Sequence, residues 1–255
     1  MNQVPTHASA SFGSSRLIRF LSGLAVSNVE ISHKYFVARI GQLVDFSDSI
    51  ILAAAHRRLS STPFEEKACS VEAVKEEFLR VRNDMVQSII KSTTPNAPRG
   101  GIKLPQLRAG DPIEFISRYE PYQRFYVLHQ RTIETKVHAF RIKVREDIRG
   151  VSARLAQLSA LDTALGDTLL VNTRNFFAVL PRLLEKRFEY HRTQHQQAVA
   201  TMENDDPALW VLPGGWLDKF YSEIQGLLLA ELEVRLQPIL GLIEALIKEV
   251  ETTDD

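Results

Sequence analysis

The feature that most constrains how this chain can fold is one stripe of apolar residues running from Phe115 to Leu165. Its members recur every three or four residues, at a mean interval between the coiled-coil value of about 3.5 and the straight-helix value of about 3.6. A strand would need a period of two, which this region lacks. A single helix of this length would reach about 75 Å at about 1.5 Å per residue. The stripe therefore predicts a long helical arm. Its members are Phe115, Tyr119, Tyr122, Tyr126, His129, Ile133, Val137, Phe140, Val144, Ile148, Val151, Leu155, Leu158, Leu161 and Leu165.

A second helical arm is predicted to follow a reversal of the chain at Gly166–Thr168. Glycine often ends a helix, and Asp or Thr often caps the next one. A second stripe then occupies 169–202, in which Pro181 predicts a kink or a new helix start. Two long helices joined by a tight turn pair antiparallel, so we expect a helical hairpin.

The rest of the chain also has the spacing of helices, so the predicted fold class is all-α. The segment after Ser92 is rich in Pro and Gly, which favours a loop or linker between domains. We expect a small N-terminal helical bundle, the long antiparallel hairpin, and a C-terminal helix packing on it. The predicted divisions are a disordered tail over 1–13, the N-terminal bundle over 14–92, a linker over 93–112, the hairpin over 113–202, a loop over 203–216 and the C-terminal helical region over 217–251.

Charge and cysteine content exclude several classes of protein. Thirty-one basic residues balance thirty-one acidic ones, so no global charge attracts nucleic acid or anionic lipid. The single cysteine rules out an intrachain disulfide and suits a reducing compartment. No run is apolar enough to span a membrane, and the N-terminal segment does not resemble a signal peptide. We therefore expect a cytoplasmic protein that does not insert into membranes.

No motif in the chain predicts catalysis. His191 and His195 lie one helical turn apart, a spacing that can bind a metal, but Arg192 stands where the metalloprotease motif requires Glu. The segment Arg99–Lys103 pairs glycines with basic residues without the frame of a phosphate-binding loop. We expect no catalytic residue, no metal and no cofactor, and hence no enzyme.

One stretch of the long arm suggests an alternative function. Seven basic residues and three acidic ones lie between Arg131 and Arg154. Such a basic helix face can bind nucleic acid, although it is more often a solvated surface. Nucleic acid is therefore the less favoured partner. The residues that would carry this binding are Arg141, Lys143, Arg145 and Arg149.

The C-terminal helix carries an unusually wide apolar face, which must be buried against something. Its own chain is one candidate, and a protein partner or a second copy of the chain is the other. A homodimer or partner interface would use Leu240, Ile243, Leu246 and Ile247.

Three stretches together resemble a known family: Leu17–Leu21, Pro181–Glu189 and Leu228–Glu244, with the turn at Leu165–Gly166. They are similar to an uncharacterised family of proteobacterial proteins that contain a domain of unknown function. Members of that family are typically encoded beside an OmpA/MotB-like envelope protein and a MotA-like membrane protein with a long coiled-coil tail. The resemblance implies an interaction or assembly protein, the cytoplasmic component of a MotA/MotB-like envelope complex, with the MotA-like protein as its partner.

Overall fold

The all-α prediction is confirmed by a computed structural model, which describes residues 17, 46–59, 64–94, 102–105, 118–200 and 205–253. Of these residues 84% are helical, and none forms a strand. The helices are α1 (Phe46–Arg58), α2 (Val71–Thr93), α3 (Glu120–Ile148), α4 (Ala153–Thr168), α5 (Leu170–Phe177), α6 (Leu180–Val199), α7 (Pro207–Trp210) and α8 (Trp216–Thr253). The predicted tail over 1–13 lies outside the described residues.

The predicted antiparallel pairing of two arms is present, but its second arm consists of α4, α5 and α6 in succession. Asp162 of α4 pairs with Arg145 near the end of α3, and Arg174 of α5 pairs with Glu134 in its middle. The hydroxyl of Tyr119, before the start of α3, donates to the carbonyl of Pro181 in α6. The chain therefore runs back along the whole length of α3. Proline in the first turn starts both α3 and α6, as the position of Pro181 predicted.

The reversal at Gly166–Thr168 was predicted wrongly, because the chain turns at Gly150 instead. A Cβ on Gly150 would lie 2.6 Å from the Cβ of Lys67, and the Lys67 amide donates to the Gly150 carbonyl at 2.7 Å. Ser152 then caps α4 by accepting from the Leu155 amide at 3.2 Å. Because Gly150 has no side chain, the segment before α2 can approach the turn closely.

Helix α8 forms the centre of the bundle, packing against α2, α3, α4 and α6. Two contacts with each neighbour fix its direction. Along α3, Tyr122 meets Phe220 and Tyr126 meets Glu231. Along α6, Arg187 meets Glu223 and His195 meets Trp216. It therefore lies parallel to α3 and antiparallel to the returning arm. The helix continues through Pro238, which is exposed, although proline in a helix interior usually kinks or breaks the helix. No described helix is long and apolar enough to cross a membrane.

Helix α2 belongs to this bundle, which differs from the predicted separate unit over 14–92. It packs along α8 and α3, with Gln225 of α8 donating to the Thr93 hydroxyl at 2.6 Å. The predicted linker over 93–112 also joins the core where it is described. Leu104 is buried, and Tyr221 donates to the carbonyl of Pro105 at 3.1 Å. The apolar face of α2 is therefore buried mainly against α8, and the described part of the linker also contacts α8.

Candidate functional site

Within the described residues, exposed large apolar side chains are most concentrated around one short helix. Four of them lie within ten residues on α5 and just after it, and they define what we call the α5 surface: Leu170, Val171, Phe176 and Val179. Val171 is 65% exposed and Phe176 is 53% exposed. Isolated exposed apolar residues are normal on soluble proteins, whereas concentrated ones mark surfaces that bind something.

The ends of α5 are irregular, and neither is capped by a side chain. Leu169 separates α5 from α4 with φ −90° and ψ 4°, and Ala178 and Val179 separate it from α6. Because the helix has only eight residues, its position depends on contacts with its neighbours. Phe177 provides the main one, since its side chain is only 4% exposed and points into the core.

Phe177 is anchored by groups from two other helices. Gln130 of α3 donates from its amide nitrogen to the Phe177 carbonyl at 3.0 Å. The guanidinium carbon of Arg235, from α8, lies 3.9 Å from the centroid of the Phe177 ring, a cation–π contact. On the outer side of α5, Arg174 pairs with Glu134 at 2.8 Å. The helix that carries the α5 surface is therefore held in place by contacts with α3 and α8.

Both anchors belong to a buried polar cluster centred on Glu231, which we call the Glu231 cluster: Tyr126, Gln130, Glu231 and Arg235. The Glu231 carboxylate is fully buried and accepts from Tyr126 and from Gln130, both at 2.9 Å. Arg235, one turn along α8, donates to its other oxygen at 2.8 Å. Each carboxylate oxygen thus has a partner, as a buried charge requires.

Burial dominates the electrostatics of this cluster. Loss of hydration raises the pKa of Glu231, and the nearby Arg235 guanidinium opposes that shift. Burial also raises the pKa of Tyr126, with the Glu231 charge adding to the effect. Two surface grooves, of about 370 and 420 Å³, are lined by other residues. The cluster has the properties of a structural connection between α3, α5 and α8.

The two histidines considered as metal ligands face different carboxylates. His191 Nε2 lies 2.9 Å from Glu223, which also pairs with Arg187. His195 Nε2 lies 3.0 Å from Asp205, and its ring stacks against Trp216. Within the described ranges, no group of three or more His, Cys, Asp or Glu side chains could hold a metal ion. These pairs instead join α6 to the start of α8 and to the loop before it.

The four basic residues proposed for nucleic-acid binding are not one free basic surface. Arg141 and Arg145 both pair with Asp162 of α4, and Lys143 pairs with Glu77 of α2. Only Arg149 of the four has no ion pair with a described residue. The carboxylates that neutralise this face come from other helices, so the local sequence of α3 does not show them.

Gly166, the residue predicted to end the first arm, instead makes room for this ion-pair network. A Cβ there would lie 3.2 Å from a guanidinium nitrogen of Arg145 and 3.5 Å from one of Arg141. Arg145 also donates to the Asp162 carbonyl at 3.0 Å. The glycine therefore serves close packing between α3 and α4, and the helix continues past it to Thr168.

The proposed partner surface on α8 needs a correction. Ile243 is 3% exposed and Leu246 is fully buried, so both pack within their own chain. Leu240 and Ile247 are half-buried and flank the exposed stripe of α8. The wide apolar face is covered because α8 is the central helix, with neighbours on several sides. Of the four predicted residues, Leu240 and Ile247 are the two that remain partly accessible to a partner.

The α5 surface and the Glu231 cluster were not identified from the sequence, although each left a signal. The segment 169–180 holds more apolar residues than one buried stripe can use, so some had to be exposed. Glu231 and Arg235 stand one turn apart in an otherwise leucine-rich helix, which is the spacing of an ion pair. Neither signal shows by itself which of these side chains are buried and which are exposed.

Comparison with known proteins identifies a family whose function is unknown. No curated protein and no solved structure matches the chain. The family described as "Protein of unknown function (DUF3348)" matches residues 1–248, which is nearly the whole chain. The matched residues include the three stretches on which the resemblance was based, and the chain belongs to this family of unknown function.

Proposed function

We propose that this chain is a non-enzymatic helical interaction protein that binds a protein partner through the α5 surface. The observation that carries the proposal is the concentration of exposed apolar side chains on a helix anchored from beneath. Burying such side chains against a partner contributes about 25 cal/mol per Å². A fixed helix also loses little conformational entropy on binding, which favours affinity.

The distribution of polar groups supports an interaction role over catalysis. The buried charge of Glu231 and the half-buried charges of Glu223 and Asp162 all have partners from the same chain. In the larger of the two grooves, the hydroxyls of Ser159 and Thr163 donate to the backbone carbonyls of Arg145 and Ser159, respectively. Enzymes usually set perturbed titratable groups in a cleft open to substrate. Here the perturbed carboxyl of Glu231 lies inside the bundle.

A finer proposal concerns where this protein acts. The family resemblance supports a cytoplasmic component of a MotA/MotB-like envelope complex, with a MotA-like membrane protein as partner. The lack of a membrane-spanning helix among the described segments is compatible with a peripheral component. Half-buried Leu240 and Ile247 leave room for a homodimer contact as well.

The test is affinity purification of the full chain from its native host, with membranes solubilised and bound proteins identified by mass spectrometry. The variant Val171→Ser/Phe176→Ser makes the α5 surface polar. The control Leu79→Ser/Leu209→Ser changes side chains that are 60% and 58% exposed on other helices. We expect both variants to melt like the wild type and only the first to lose the bound proteins. Equal retention by both variants would refute the proposal.

A further inference from the structure

A second exposed surface lies along the face of α3 that points away from the core. Its residues are three or four positions apart, so they line one side of the helix. We call this set the outward stripe: Arg124, Leu128, Arg131, Thr135, His138 and Ile142. All six are exposed, and none is acidic. The stripe thus combines cations with apolar side chains on a regular helix.

The arginines of the outward stripe lack counter-charges within the described chain. Neither Arg124 nor Arg131 forms an ion pair with any described residue. Two other cations of the same helix do form ion pairs: Arg145 with Asp162 and Lys143 with Glu77. Contacts between helices therefore neutralise Arg145 and Lys143, whereas Arg124 and Arg131 of the outward stripe remain available.

Two apolar side chains mark the length of the stripe. Leu128 is 48% exposed and Ile142 is 43% exposed. They are fourteen residues apart, which is two heptads and about 21 Å along the helix axis. A second helix packed at a shallow angle meets its neighbour at this heptad interval.

We propose that the outward stripe of α3 binds an acidic amphipathic helix of a partner protein. Carboxylates of that helix pair with Arg124 and Arg131, and its apolar residues cover Leu128 and Ile142. Opposite charges across an interface speed association and fix the register of the two helices. This inference rests on the proposed function, because it assigns a second contact and its chemistry to the same interaction protein.

The apolar residues distinguish a protein helix from the other anionic candidates. A phosphate backbone would pair with the arginines but would offer nothing to Leu128 and Ile142. An anionic membrane would need a face with bulky apolar side chains throughout. Here Thr135 and His138 lie between the two apolar positions, so the face is too polar to enter a bilayer interface.

The experiment is site-specific photo-crosslinking of the full chain in its native host. A photoreactive phenylalanine analogue replaces Leu128, and in a separate strain it replaces Val171. We expect the Leu128 probe to crosslink a protein segment that is acidic and amphipathic by mass spectrometry. Charge reversal by Arg124→Glu/Arg131→Glu should lower the yield by at least about tenfold. The control Arg182→Glu/Lys186→Glu makes the same charge change on the exposed face of α6 and should leave the yield unchanged.

Each other outcome overturns the inference. Crosslinks from the Leu128 probe to nucleic acid, to lipid, to a segment without acidic residues, or to nothing would show that the stripe has no such partner. An equal loss in both charge-reversed variants would show a general effect of charge. If the Val171 probe still crosslinks a protein in those cases, the proposed function stands and only this inference fails. If neither probe crosslinks a protein, both fail.

Discussion

The guanidinium of Arg235 stacks on the ring of Phe177, with its central carbon 3.9 Å from the ring centroid. The same guanidinium neutralises Glu231, one turn earlier in α8. One side chain therefore holds a buried carboxylate and the short helix α5 at once. The position of the α5 surface depends on a charge pair in the centre of the bundle.

Removing Arg235 alone should be costly. Arg235→Met leaves the fully buried Glu231 without its counter-charge, and we expect a loss of about 3–5 kcal/mol in the free energy of unfolding. The double variant Glu231→Leu/Arg235→Met removes both charges and should recover most of that loss. Urea denaturation measures both. A double variant no more stable than the single one would show that the hydrogen bonds, and not the uncompensated charge, dominate.

His129 should make the stability of the protein depend on pH. Burial lowers the pKa of His129 from 6.5 to about 4, and no described residue forms a hydrogen bond with its Nε2. The unfolded chain therefore binds a proton more readily than the folded one. The contribution of neutral His129 to the free energy of unfolding is fully present above about pH 6.5. As the pH falls towards about 4, the free energy of unfolding decreases by about 3 kcal/mol.

The measurement compares thermal unfolding of the wild type and of His129→Leu across that pH range. The variant should lack this part of the acid destabilisation, since a leucine suits an apolar site. His138→Leu, on the exposed side of the same helix, serves as the control and should follow the wild type. Identical pH profiles for wild type and His129→Leu would contradict the prediction.

Two glycines should respond to alanine in opposite ways. In Gly150→Ala the new Cβ would lie 2.6 Å from the Cβ of Lys67, so the backbone must shift, at a cost of about 1–3 kcal/mol. In Gly241→Ala nothing lies within 4 Å of the new Cβ, and α8 should gain about 0.5–1 kcal/mol. Chemical denaturation of both variants checks the difference. If Gly150→Ala is neutral, the turn is not held by its contact with Lys67.

The apolar face of α8 should behave as core at Leu246 and as surface at Leu240. Leu246→Asp puts a charge into a fully buried site and should unfold the protein or lower its melting temperature sharply. Leu240→Asp changes a half-buried position and should be tolerated much better. Thermal melting with light scattering also tests the homodimer. A wild-type dimer that Leu240→Asp converts into a stable monomer would establish that contact.

The spacing of apolar residues predicted the helices, because a helix that buries one face needs an apolar residue every three or four positions. It did not predict the position of the turn, because Gly150 and Gly166 each have a helix-capping residue within the next two positions, Ser152 and Asp167. The two glycines differ in their tertiary contacts, since Lys67 approaches Gly150 and two arginines of α3 pack on Gly166. The stripe from Phe115 to Leu165 was predicted to form one arm with the reversal after it, whereas the structure divides it at Gly150 into α3 and α4.

Site residues were harder to predict for a related reason. Whether an apolar residue such as Phe176 or Phe177 is exposed depends on a fraction of a helical turn, which α5 sets at its irregular ends. The acidic partners of the basic residues on α3 come from α2 and α4. Long-range pairs of this kind leave no periodic trace in one sequence.

The central place of α8 has a consequence for synthesis on the ribosome. All the helices that it covers precede it in the chain, so their apolar faces emerge before the element that buries them. At about 5–20 residues per second, α2 waits several seconds for α8. During that interval the nascent chain exposes the side chains most prone to aggregate. Chaperone dependence of newly made protein, together with spontaneous refolding of the complete chain, is the expected signature of this order.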